Sequence, residues 1–78
     1  PRLALDGGAD GLDLIRMLLG DAKRWLAEGG LMLLEIESGQ GETGLQAARE
    51  VFGSGCIRLL KDLAGLPRLL WIENKQGD

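Results

Sequence analysis

The chain has 78 residues, a single cysteine, and no histidine or tyrosine. That inventory excludes a disulfide framework, a zinc site of the usual His/Cys kind, a serine-histidine triad and a histidine general base, so any chemistry rests on carboxylates, backbone groups or residues elsewhere. A net charge of −3 lacks the broad basic surface that neutralises phosphates, which disfavours direct nucleic-acid binding.

Hydrophobic residues make up 45% and charged residues 27%, the balance of a globular chain rather than a disordered one. The length is near that at which one core supplies only about 3–5 kcal/mol without staples. It suits one domain or part of one. No apolar run approaches the ~20 residues that span a bilayer, and no signal-peptide pattern opens the chain. We therefore expect a cytoplasmic or organelle-matrix protein without a membrane partner. Starting at Pro1 rather than methionine fits a processed or truncated polypeptide.

In chain order, the first stretch runs Pro1-Arg2-Leu3-Ala4-Leu5-Asp6-Gly7-Gly8-Ala9-Asp10-Gly11. Gly7-Gly8 reads as a turn with freedom for positive φ, and Asp10 as the N-cap of a helix. From Gly11 to about Ala27, Leu12, Ile15, Leu18, Leu19, Ala22, Trp25 and Leu26 recur at intervals of three and four, which predicts one buried face of that helix. Trp25 belongs to that core stripe. Gly20-Asp21 predicts a kink or a re-start, with Asp21 capping the second half. Lys23 and Arg24 favour the dipole at the helix end, and Gly29-Gly30 supplies the stop.

Leu31-Met32-Leu33-Leu34, with Glu35-Ile36-Glu37 after it, is the organising stretch. A run apolar on both faces predicts a central strand covered by helices on both sides, as in a parallel α/β sheet. Its acidic end is the carboxyl end, where such sheets bind ligands. Glu35 and Glu37 there are candidate acid/base carboxylates, but solvated loop positions or a hydrogen bond to a neighbouring backbone amide are the better reading. The Gly-x-Gly of Ser38-Gly39-Gln40-Gly41-Glu42 resembles a phosphate cradle without a third glycine or a Lys-Ser/Thr pair, so an ordinary strand-to-helix loop is favoured.

A second helix is predicted from Gly41 to Phe52, burying Leu45, Ala48, Val51 and Phe52 and ending at Gly53-Ser54-Gly55. Cys56 reads as a buried small hydrophobe. Cys56 to Lys61 alternates as an edge strand does, and Arg68-Leu69-Leu70-Trp71-Ile72 is apolar as an interior strand is. The connection between them is too short for a parallel crossover, which predicts an antiparallel hairpin, with Arg68 and Asp62 placed to close it as an ion pair. Glu73 to Asp78 reads as a frayed polar tail. The strand at Leu31 to Ile36 then has an edge with no partner strand, through which the chain is able to self-associate.

Three blocks, Ala4-Leu5-Asp6-Gly7-Gly8-Ala9-Asp10-Gly11, Leu34-Glu35-Ile36 with Gln40-Gly41-Glu42, and Asp62-Leu63-Ala64-Gly65 with Arg68, together resemble the C-terminal part of the HemK/PrmC family, the peptide chain release factor N5-glutamine methyltransferases. The resemblance runs through all 78 residues and implies the C-terminal half of a class I S-adenosylmethionine-dependent, Rossmann-like methyltransferase domain. In that sheet the last strand inserts antiparallel between the fifth and the sixth. It implies S-adenosyl-L-methionine as cofactor and a release factor as partner, with the methyl group going to the glutamine amide of a Gly-Gly-Gln motif.

The cofactor loop and the Asn-Pro-Pro-Tyr motif of the family lie upstream of Pro1, so the resemblance implies no catalytic or cofactor-binding residue within the chain and a fragment inactive by itself. Asp6, Gly7, Gly8, Asp10 and Gly11 are implied as a loop bordering the substrate entrance. The family commonly carries glycine where this chain has Glu37, which implies a different local turn. Two alternatives stand beside this reading: a related N-methyltransferase acting on a nucleic-acid base, and a binding or dimerisation module without catalysis.

Overall fold

The computed structural model describes residues 11–53 and 56–75. The expected Gly7-Gly8 turn, the Asp10 cap, the Ser54-Gly55 helix stop and the end of the tail lie outside them. The elements run in the order α1 (Leu12–Trp25), β1 (Leu31–Glu35), a 3₁₀ turn (Ser38–Gln40), α2 (Gly41–Phe52), β2 (Ile57–Lys61) and β3 (Pro67–Glu73). This is a small α/β arrangement with the sheet order β1-β3-β2. Both neighbouring pairs are antiparallel, so the last strand lies between the other two. The hairpin predicted from the short connection is present, with Ile57 and Leu59 on the face opposite Arg58 and Leu60.

Helix α1 forms on the stripe Leu12, Ile15, Leu19 and Ala22, all buried, and each fully buried leucine or isoleucine contributes roughly 1.5–3 kcal/mol. The helix runs on through Gly20 without interruption, so the predicted re-start and the Asp21 cap do not occur. A glycine costs about 1 kcal/mol against alanine, less than the packing around it provides. The cap position is Gly11, at φ 74° in the left-handed region. Trp25 is 72% exposed, which corrects its assignment to the core. It flanks the stripe, and the apolar face continues through Leu26, which leaves the helix in an extended conformation and packs against the core.

The helix ends at Trp25 rather than near Ala27, and Asn74 accounts for the early stop. Its side-chain amide donates to the carbonyl of Leu26 at 2.6 Å and to that of Ala27 at 3.3 Å. Its backbone N–H donates to Gly30 and its carbonyl accepts from Gly29. Asn74 is 4% exposed, so the segment from Glu73 onward does not begin as a frayed tail: Glu73 closes β3, and Asn74 ties it to the end of α1.

Helix α2 begins and ends as predicted, but its closest face is the small-residue stripe Gly41, Gly44, Ala47 and Ala48, together with Phe52. Leu45 and Val51 are half-buried beside it. A Cβ at Gly41 would come within 2.9 Å of the Pro67 ring, and one at Gly44 within 3.3 Å of Leu70. Both helices join one core with Leu70 and Ile72. The expectation of helices on both sides of β1 is therefore corrected: among the described residues one face is covered, and Leu31 and Leu33 lie on the other, 43% and 51% exposed. Cys56 is half-buried rather than buried. Among the described residues no helix is long and apolar enough to cross a membrane.

Candidate functional site

At the carboxyl end of β1 the chain folds around a cleft of about 580 Å³. One wall comes from the first turns of α1, with Gly11, Leu14, Ile15 and Leu18, and the opposite one from Leu34, Glu35 and Ile36. Glu37, Gln40 and Arg68 complete the lining. Among the described residues β1 pairs only with β3, and Ile36 extends that pairing by donating its N–H to the carbonyl of Arg68 at 2.9 Å. The cleft thus opens where sequence reasoning placed ligands, at the acidic end of the organising strand.

Glu37 is committed to the turn it opens. Glu37 and Gln40 form a reciprocal capping box: the Glu37 side chain accepts from the backbone N–H of Gln40, while the Glu37 N–H donates to Gln40 Oε1 at 3.1 Å. The Gln40 N–H also reaches the Glu37 carbonyl at 2.8 Å, and Gly41 donates to the Ser38 carbonyl. A hydrogen bond to a neighbouring amide, the bland reading of Glu37, is therefore what the turn contains. The N–H groups of Glu37, Gln40 and Gly41 are thus satisfied inside the turn. Glu37 takes its place at φ −74°, a conformation open to any side chain.

Arg68 closes the hairpin as predicted, its Nε 3.1 Å from Asp62 Oδ2. Asp62 Oδ1 also accepts the backbone N–H groups of Ala64 at 2.9 Å and Leu66 at 3.0 Å. The Leu66 N–H, with Arg68 next, holds the Asp62 carboxyl below its ordinary pKa. Arg68 therefore enters the cleft lining as part of an ion pair.

Of the loop implied to border a substrate entrance, Asp6, Gly7, Gly8 and Asp10 lie outside the described residues, and Gly11 lines the cleft. Leu14 and Gln40 were missed as lining residues, and Leu18, assigned to the core stripe, is half-buried at the cleft instead. Leu14 and Leu18 are four apart, a second apolar row beside the core stripe, and that spacing was a usable signal. Nothing in the spacing marked Gln40. Among the described residues the cleft offers apolar walls and carboxylates.

No family model matches the chain, and no solved structure matches it. Among curated proteins it is similar to the release factor glutamine methyltransferase of Moorella thermoacetica, 50% identical over 68 residues that cover 87% of this chain and 24% of that protein. The enzyme of the same name from Gloeobacter violaceus is 46% identical over 70 residues, covering 90% and 24%. The ribosomal protein uL3 glutamine methyltransferase of Burkholderia pseudomallei is 37% identical over 78 residues, covering 100% and 20%. The chain spans about a quarter of the length of these relatives, or less. Over that span it belongs to the HemK/PrmC family of glutamine methyltransferases.

Proposed function

We propose that residues 1–78 are the C-terminal portion of a class I, S-adenosylmethionine-dependent methyltransferase domain that methylates the glutamine side-chain amide of the Gly-Gly-Gln motif in peptide chain release factors. The observation that carries this reading is the relatives' shared name, with matches over 87% and 90% of the chain at 50% and 46% identity. Three features of the fold support it. The last strand is inserted antiparallel in the order β1-β3-β2, β1 keeps an unpaired edge among the described residues, and the apolar face of the sheet opposite the helices is open.

In this reading β1 is the fifth strand of a larger Rossmann-like sheet, and upstream elements pair with its edge and cover its open face. Transfer to an amide nitrogen requires that nitrogen to be held in line with the methyl donor, and the groups that hold cofactor and amide belong to the upstream part. Residues 1–78 alone are then silent. Their contribution is the wall of the substrate entrance: Asp6, Gly7, Gly8, Asp10 and Gly11 border it, and the Leu14 and Leu18 row backs it. A second reading, methylation of a ribosomal protein glutamine, draws support from the uL3 methyltransferase of Burkholderia pseudomallei, which matches the whole chain. The acidic balance of the chain weighs against a nucleic-acid base as acceptor.

The test uses the complete polypeptide carrying this chain, with S-adenosylmethionine and either a release factor or ribosomal protein uL3. The expected outcome is one methyl group on the release-factor Gly-Gly-Gln glutamine by peptide mass mapping, with residues 1–78 alone transferring none. Modification of uL3 in place of the release factor would move the assignment to the second reading. Methylation of neither protein would end both.

A further inference from the structure

We propose that Gln40 is a positioning residue that fixes Gly11, the last residue of the entrance loop, against the carboxyl end of β1; this deepens the methyltransferase reading and rests on it. Gly11 holds φ 74° at the start of α1, and a methyl group in place of its hydrogen would collide with Gln40 Nε2. Gln40 is itself pinned, because its Oε1 accepts the Glu37 N–H at 3.1 Å and its own N–H is bound by the Glu37 side chain. The amide that Gly11 leans on is thus locked by the turn that ends the organising strand. Both residues line the same cleft, so the lock sets the separation of its two walls.

A residue that shapes the entrance without touching reacting atoms acts on substrate capture and leaves the chemical step alone. In the complete polypeptide, Gln40→Met keeps side-chain length and removes both polar ends. The expected result is a rise of about tenfold in KM for the release factor, with kcat and the affinity for S-adenosylmethionine within about twofold. Gly11→Ala is expected to raise KM in the same way, and the double variant to be no worse than Gly11→Ala alone within about threefold, because the two act through one contact. An unchanged KM in Gln40→Met, or effects that multiply in the double variant, would overturn the proposal. If Gln40→Met melts below the assay temperature, Gln40→Glu, which keeps an acceptor for the Glu37 N–H and loses the amino group facing Gly11, is read by the same KM criterion. Should the unaltered polypeptide methylate no glutamine, the functional reading fails and the lock is judged separately by hydrogen exchange. The amides from Ile15 to Leu19 are then expected to exchange about tenfold faster in Gln40→Met, and unchanged protection would overturn it.

Discussion

The two faces of the sheet both carry large apolar residues, but Glu35, Arg58 and Glu73 lie on one face only, and the two have different fates. Leu70 and Ile72 are fully buried under α1 and α2, with Met32, Leu34, Ile57 and Leu59 packed around them. On the opposite face Leu31, Leu33 and Leu60 are 43%, 51% and 38% exposed, beside half-buried Leu69 and Trp71, and the indole N–H of Trp71 donates to Glu73 at 3.1 Å. Period-two alternation fixes which residues share a face. Whether that face is covered depends on other parts of a fold. The apolar patch of Leu31, Leu33, Leu60, Leu69 and Trp71, flanked by Glu35, Arg58 and Glu73, is of the kind on which another layer packs, in accord with a chain that spans about a quarter of its relatives.

The sharpest way to break this contrast is to make the same change on each side. Leu70→Ala on the covered face is expected to cost about 2–5 kcal/mol, whereas Leu33→Ala on the open face is expected to cost about 1 kcal/mol or less, the scale of a cross-strand pair with Trp71. Urea midpoints of the two variants of this chain measure the difference. Equal losses would mean that the open face is covered in solution, and self-association through the edge of Leu31 to Ile36 is the first cause to examine by sedimentation. A step smaller is Gly41→Ala, where a methyl group meets the Pro67 ring at 2.9 Å and overpacking is expected to cost about 1–3 kcal/mol. If it costs nothing, α2 does not sit as tightly on the sheet as the covered face requires. Gly20→Ala should have the opposite sign. Nothing lies within 4 Å of the added carbon, and the covering helix is expected to gain up to about 1 kcal/mol, read as a rise in Tm.

Element order, the hairpin, the extent of α2, the edge place of β2 and the Asp62 to Arg68 pair were all legible in the sequence. Each arises from local pattern: apolar spacing, connection length and turn chemistry. What escaped reading came from distant partners. Asn74 carries no local sign that it ends α1, because its contacts lie 47 and 48 residues away. Trp25 fits a helical stripe by spacing, yet the chain turns inward at Leu26 and leaves the indole outside. Four apolar residues in a row at Leu31 state that both faces of β1 are fit for burial, and they are silent on what buries the second. The cleft was legible as a position, the acidic end of the strand. The role of Gln40 required the turn geometry.

The smallest expected effect lies where the two faces meet, at the hairpin. Asp62 gathers the N–H groups of Ala64 and Leu66 and the Arg68 side chain, and its N–H and carbonyl pair with Leu66 and Gly65. Since its folded pKa lies below the ordinary 3.8, its contribution is fully present above that value and fades as pH falls through the depressed one. Acidification is therefore expected to lower the protection of the Ala64 and Leu66 amides in the unaltered chain, measured as exchange relative to the intrinsic chemical rate. Asp62→Asn keeps an acceptor and removes the titration, so its exchange, corrected for the intrinsic chemical rate, is expected to stay flat across the same window. The two regular register pairs that precede the irregularity at Lys61, Leu59 with Leu70 and Leu60 with Leu69, lie on opposite faces. Loosening should therefore appear equally on both, while the Leu33 and Trp71 pair further along the sheet stays as it was. Loosening confined to one face would mean that the helices, rather than the hairpin, hold β2 and β3 in register.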